Sequence, residues 1–207
     1  NENSTSIQTA VFTKNGCMRI IDYAFQYAVK RNKKLKVTSI TKSNAQAYGM
    51  VMWDNCFNEV SKKYSQIETE SLLVDAACMD LVRRPESFDV IVASNLFGDI
   101  LSDLGAGITG GMGVAPSSNI NPYKKVPSMF EPVHGSAPDI SGKGIANPIA
   151  SILSGAMMAS YLGYTDLEIV IRNAVQQSIE NNITTQDMGG EHSTEEVIKS
   201  VEYNITK

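Results

Sequence analysis

Disulfides, zinc pairs and membrane spans are what this sequence has least material for. Its three cysteines, Cys17, Cys56 and Cys78, are odd in number and stand in no metal-ligand spacing. They suit reduced thiols rather than a disulfide framework, so a cytoplasmic location is expected. The two histidines, His134 and His192, lie too far apart in sequence to suggest a zinc pair. No apolar run approaches the roughly 20 residues that span a bilayer, so no membrane partner is expected. Positive charge is not in excess either. The net charge of −4 gives no reason to expect nucleic acid as a partner. Internal repeats and low-complexity tracts are absent. The first residue is Asn1, and the opening Asn1-Glu-Asn-Ser-Thr-Ser6 has neither the basic nor the apolar region of a signal peptide. The expectation is that the start was removed or that the chain is a piece of something longer.

What is present reads as strands alternating with helices, the mark of an α/β class. A β-rich stretch at 7–13 reads as a strand, and helical periodicity follows over 18–31. The basic run 30–34 reads as a solvated helix end with cations at the negative pole of the dipole. A strand is expected at 35–40, amphipathic helices at 47–64 and 71–83, and a buried strand at 88–94. Pro85 stops the second of those helices. Residues 99–106 read as helical, 105–113 are glycine-rich, and 114–131 read as loop with short strands. Asn147-Pro148 opens an apolar helix over 149–162 that Gly163 ends. That helix is too apolar for a surface position, so it is buried or lies at an interface. Further helices are expected at 167–181 and after the capping box Ser193-Thr-Glu-Glu196. The glycine-rich stretch is the best domain boundary, giving domains of 1–109 and 110–207.

Three segments carry chemistry. The strand at 88–94 runs off its end into a helix bearing Asp99 and Asp103, four apart and therefore on one face. Paired carboxylates beyond a strand end suit a hard divalent cation. A solvated acidic helix start would have the same spacing. Lys42, in Thr41-Lys-Ser-Asn44, follows the strand at 35–40, where α/β proteins place ligands. Desolvation or neighbouring cations turn such a lysine into a base; without them it is a surface lysine. The loop 131–147 lacks the G-x-G-x-x-G fingerprint, yet its residues could cradle an adenosine. Gly135 and Ala137 allow close backbone approach, His134 could face an adenine, and Asp139 could accept from ribose hydroxyls. A carboxylate at Asp139 would repel a 2′-phosphate, favouring NAD over NADP. A structural loop with a lone histidine is the alternative.

Taken together and in this order, the segments resemble the isocitrate/isopropylmalate dehydrogenase family of β-decarboxylating dehydrogenases. The resemblance rests on Thr41-Lys-Ser-Asn44, Leu73-Val-Asp75, Asn95-Leu-Phe-Gly-Asp-Ile-Leu-Ser-Asp103, Glu131-Pro-Val-His-Gly-Ser-Ala-Pro-Asp139 and Ile145-Ala-Asn-Pro148. Within the family the tartrate/D-malate dehydrogenase branch is the most similar, through Trp53-Asp54, Phe88-Asp-Val-Ile-Val-Ala-Ser-Asn95 and Ala115-Pro-Ser-Ser-Asn-Ile-Asn-Pro122.

The resemblance implies an isopropylmalate dehydrogenase-like α/β/α sandwich, here incomplete. It implies that Lys42 is the catalytic base. Asp75, Asp99 and Asp103 would hold Mg²⁺ or Mn²⁺, with Lys42 and Asp75 reaching into the site of a second subunit. The NAD site would comprise His134, Gly135, Ser136, Ala137, Asp139 and Asn147, with Asn147 toward adenine. The NADP-using relatives carry Lys-Tyr where this chain has Asp139-Ile140, which again favours NAD. A homodimer is implied, with the helices at 47–64 and 71–83 packed on their symmetry mates through Met50, Trp53 and Leu72 or their neighbours. Residues 1–109 would be the back part of the dimer-forming, metal and substrate domain, and 110–207 the C-terminal part of the NAD domain. The front portion of the family fold, with its substrate-binding arginines and tyrosine, is absent, so the chain alone is expected to be inactive. The implied activity is oxidation with decarboxylation of a 2-hydroxy dicarboxylic acid such as D-malate or tartrate. The alternatives are 3-isopropylmalate as substrate, a dimerisation module, or a non-catalytic regulatory subunit. Retention of Lys42, Asp75, Asp99 and Asp103 weighs against the last.

Overall fold

The computed structural model describes residues 4–207. Its contacts divide the chain into two compact units, Asn1–Leu104 and Gly105–Lys207.

In the first unit, α1 (Lys14–Arg31) begins where the Thr13 hydroxyl accepts from the Gly16 amide and ends at Asn32, in the left-handed region at φ 46°. Cys17, Ile21, Ala24, Phe25 and Ala28 recur every three or four residues, so one stripe of the helix is buried. Strand β1 (Lys36–Thr41) follows, then α2 (Gly49–Ser61), β2 (Glu68–Leu73), α3 (Val74–Arg83) and β3 (Val90–Val92). The three strands are parallel in the order β2-β1-β3. β1 is central, and every residue after Lys36 in it is buried. The core around it joins Ile21, Phe25, Ile40, Met50, Trp53 and Phe57.

Two expectations fail here. Residues 7–13 form no strand; Ile7 is 88% exposed and Val11 83%. Among the described residues no neighbouring strand pairs with this segment, and an unpaired strand loses its ladder of hydrogen bonds. The helix expected at 71–83 starts only at Val74, because Ser71 to Leu73 pair with Ser39 to Thr41 as part of β2. β2 is a polar edge strand. Lys36 makes ion pairs with Glu68 and Glu70, and Thr38 donates to Glu70. The ladder is stabilised by cross-strand polar pairs rather than by an apolar face. The basic run does more than cap a helix: Arg31 pairs with Asp89 at 3.0 Å and the Lys34 amide donates to the same carboxylate, which ties the end of α1 to the segment entering β3.

Met50 and Trp53 are buried in the chain's own core, with the Trp53 indole donating to Ser39 at 2.9 Å. They are therefore not free for a symmetry mate. Tyr48, just before α2, and Val51 and Met52 on it are the exposed neighbours.

Helix α4 (Asn95–Thr109) starts four residues earlier than expected. In the second unit, β4 (Pro116–Asn119) and β5 (Met129–Pro132) form an antiparallel pair, and α5 (Ile149–Leu162) packs on it. Gly163, at φ 100°, ends α5 as expected. α6 (Thr165–Glu180) and α7 (Thr194–Thr206) complete the unit, the latter with its capping box formed by Ser193 and Glu196. α5 buries Ile149, Ala150, Ser154, Ala156 and Ala159 but leaves Met158 and Leu162 exposed. The core joins Ile149 to Ala174, Val175, Val197 and Val201.

Candidate active site

A parallel sheet places the ends of all its strands on one edge. β1 ends at Thr41, opposite Leu73, the last residue of β2. Lys42 and Asp75 therefore leave adjacent strands together, and their side chains form an ion pair at 2.5 Å. Asp75 sits in the first turn of α3. The hydrogen bond from Lys42, followed by one from backbone, holds its carboxyl below the ordinary carboxylate range.

β3 ends at Val92 on the same edge, and α4 begins three residues later. Phe97 and Leu101 turn inward to the core. Asp99 and Asp103 are exposed on the opposite face, beside Leu96 and Ile100, which are 60% and 46% exposed. The first turn of α4 carries no acidic residue, so the two carboxylates lie in the second and third turns rather than at a helix start. Among the described residues neither carboxylate has an ion-pair partner, and no group of three His, Cys, Asp or Glu is arranged to hold a metal ion. The structure thus brings Lys42 to Asp75, and Asp99 to Asp103, without joining Asp75 to the other two.

In the second unit the loop 133–147 folds around a cavity of about 430 Å³. His134, Gly135, Ser136, Ala137 and Asn147 line it, while Asp139 is exposed on the same loop outside the lining. Ala137 adopts φ 42°, a left-handed conformation that a residue with a Cβ rarely takes, and Gly142 and Gly144 are also left-handed. Nδ1 of His134 lies 2.9 Å from the Gly135 carbonyl. Sequence reasoning missed three lining residues, Gly113, Gln186 and Asp187. Gln186 and Asp187 are about 40 residues beyond the loop in a short turn, and no local motif marks them. Only the folded chain brings them to Asn147, whose amide donates to Asp187 at 3.0 Å.

Comparison with known proteins settles the family. The isocitrate/isopropylmalate dehydrogenase family matches residues 1–201. The chain belongs to it. A tartrate dehydrogenase/decarboxylase of Pseudomonas putida is 48% identical over 202 residues, covering 95% of this chain and 55% of the relative. A homoisocitrate dehydrogenase of Methanocaldococcus jannaschii is 49% identical over 196 residues, covering 95% of the chain and 55% of that protein. The crystal structure of an isocitrate dehydrogenase from Methylococcus capsulatus superposes with a TM-score of 0.91 at 40% identity, over 96% of this chain and 58% of that one. The α/β fold is thus that of the family, and the chain spans a little over half the length of these relatives. Among the described residues no helix is long and apolar enough to cross a membrane.

Proposed function

We propose that this chain is part of a homodimeric, NAD- and divalent-metal-dependent enzyme that oxidises and decarboxylates a 2-hydroxy dicarboxylic acid such as D-malate or tartrate. The observation that carries the reading is the convergence of the Lys42–Asp75 pair and the start of the Asp99/Asp103 helix on one edge of a parallel sheet. Family membership supports it, as do relatives named tartrate dehydrogenase/decarboxylase. The homoisocitrate relative is as similar, so identity alone does not choose the substrate.

Asp99 and Asp103 offer hard oxygen donors with no ion-pair partner among the described residues, which suits Mg²⁺ or Mn²⁺. Two carboxylates are a sparse set, and Asp75 of a second copy is the third donor in this reading. A cation held by these carboxylates would supply Lewis acidity to a bound 2-hydroxy acid. His134, Gly135, Ser136, Ala137 and Asn147 would hold NAD⁺, which would accept the hydride from C2. Lys42 takes the C2 hydroxyl proton, through water. The resulting 2-keto group accepts the electrons left when the β-carboxylate departs as CO₂. Asp139, exposed on the same loop, disfavours a 2′-phosphate by charge. Unit 1 belongs to the dimer-forming domain and unit 2 to the NAD domain. Leu96 and Ile100 flank the carboxylates, and Tyr48 precedes α2 while Val51 and Met52 lie on it; these exposed apolar side chains support coverage by a second copy. The 207-residue chain alone does not turn over in this reading.

The test uses the protein extended to the length of its relatives. NADH formation is followed with Mn²⁺ and, in turn, D-malate, tartrate, 3-isopropylmalate and homoisocitrate. Turnover that Lys42→Met abolishes is expected with D-malate or tartrate. Preference for 3-isopropylmalate would move the substrate assignment, and no turnover with any of them would leave a regulatory subunit.

A further inference from the structure

We propose that the segment 185–194 is the positioning element of the adenosine cavity, with Asp187 as its main residue; this rests on reading that cavity as the NAD site. The cavity wall at 144–147 has no secondary structure of its own. Its backbone groups must therefore be held by other parts of the chain. The Thr194 amide donates to the Gly144 carbonyl at 2.9 Å, and the Thr194 hydroxyl donates to the Ala146 carbonyl at 2.5 Å. Asn147 is held at both ends of its side-chain amide. Its nitrogen donates to Oδ2 of Asp187 at 3.0 Å, and its oxygen accepts from the Ile149 amide, the first helical residue of α5, at 3.0 Å. Oδ1 of Asp187 accepts in turn from the hydroxyl of the fully buried Thr185 at 2.5 Å.

Gly113 closes the third side. A Cβ there would meet Asp187 Oδ2 at 2.3 Å and Asn147 Cβ at 2.8 Å, so the contact admits no side chain. The segment is itself braced, with the Gly190 amide donating to Thr185 O and the His192 amide to Thr184 O. One consequence concerns Asn147. With its oxygen bonded to the start of α5 and one amide hydrogen to Asp187, the Asn147 side chain braces the wall. Asp187 thus acts through Asn147, and Thr194 through Gly144 and Ala146.

Binding is measured on the protein extended to the length of its relatives, as in the turnover assay. Calorimetric titration with NAD⁺ and with adenosine 5′-diphosphoribose is run on the unmodified chain and on Asp187→Ala, Asp187→Asn and Thr194→Val. Hydrogen exchange of the Ile149 amide is followed in parallel. Asp187→Ala is expected to raise both Kd values about tenfold and to speed Ile149 exchange. Asp187→Asn keeps one acceptor oxygen for Asn147 and is expected to stay within about threefold of the unmodified chain. Thr194→Val removes one hydroxyl bond and is expected to weaken binding about threefold to fivefold; it gives the answer if Asp187→Ala does not fold. A purely structural role would lower Tm and leave Kd unchanged, which overturns the proposal. Weakened binding with unchanged Ile149 exchange would also overturn it, because Asp187 would then meet the ligand directly. No binding by the unmodified chain would remove the NAD reading of the cavity, and this proposal with it.

Discussion

Replacing Asp103 by Asn separates two accounts of the α4 carboxylates by the sign of its effect. If the pair were only a favourable acidic helix start, losing one charge would cost about 0.3 to 1 kcal/mol. The structure argues otherwise. α4 begins at Asn95, so Asp99 and Asp103 lie beyond the first turn, where the dipole effect has faded. Like charges four apart on one exposed face repel by about 0.2 to 0.5 kcal/mol. No cation offsets that repulsion in the described chain. Asp103→Asn and Asp99→Asn should therefore each stabilise the 207-residue chain slightly in EDTA. At about 2 to 4 °C per kcal/mol for a chain of this size, Tm should rise by roughly 1 °C. Metal behaves oppositely. In the full-length dimer, Mn²⁺ at about 100 times its Kd should stabilise by about 2.7 kcal/mol, and either variant should lose most of that gain along with Mn²⁺-dependent turnover. Scanning calorimetry with EDTA and with Mn²⁺ measures both arms. A lower Tm in EDTA together with an unchanged Mn²⁺ shift would refute the ligand account.

Three further outcomes follow from single contacts. The full-length enzyme should prefer NAD⁺ to NADP⁺ by at least about tenfold, one pKa-scale unit of charge discrimination; Asp139→Lys should narrow that ratio of kcat/KM, and an unchanged ratio would contradict the charge argument. Trp53→Phe removes the donor to the buried Ser39 hydroxyl and should cost about 1 to 3 kcal/mol in a urea melt; a cost near zero would mean the bond contributes nothing. Burial pushes the Cys17 and Cys56 thiols up from 9.0. In the unfolded chain they ionise first, so U binds fewer protons than N and stability should fall as pH rises through about 9. Cys17→Ala/Cys56→Ala should flatten that fall, and an identical slope in the double variant would count against it.

The sequence carried the helices well because their apolar stripes are long and periodic. Residues 149–162 were legible to the residue, since Pro148 and Gly163 bracket them. β2 was not legible. Glu68-Thr-Glu-Ser-Leu-Leu73 has no alternating apolar face, and its pairing depends on Lys36 and Thr38, about 30 residues away. The strand expected at 7–13 had the right composition without a partner, and composition alone does not make a strand. The site divides the same way. Lys42 and the loop 134–147 stand at recognisable strand and helix ends. Asp187 and Gly113 belong to the cavity only through tertiary contacts, and neither lies in a motif.

The Lys42–Asp75 pair and the Asp99/Asp103 pair are each intact within one chain, yet among the described residues they form no common metal cluster. Two half-sites on one chain become complete sites in a two-fold dimer if each copy lends Lys42 and Asp75 to the other. Complementation tests this directly. Full-length Lys42→Met and Asp103→Asn homodimers are inactive in this reading. After mixing and subunit exchange, a heterodimer has one site with Asp103 from the first subunit and Lys42 from the second, and that site is whole. Its other site carries both defects. Random exchange makes half of the dimers hetero, each with one of two sites working, so activity should recover to about a quarter of wild type. If all four residues instead served their own chain, every site in the mixture would keep one defect and activity would stay at zero. A null result, with heterodimers verified by mass spectrometry, would therefore sink the shared-site reading while leaving the family and the fold untouched.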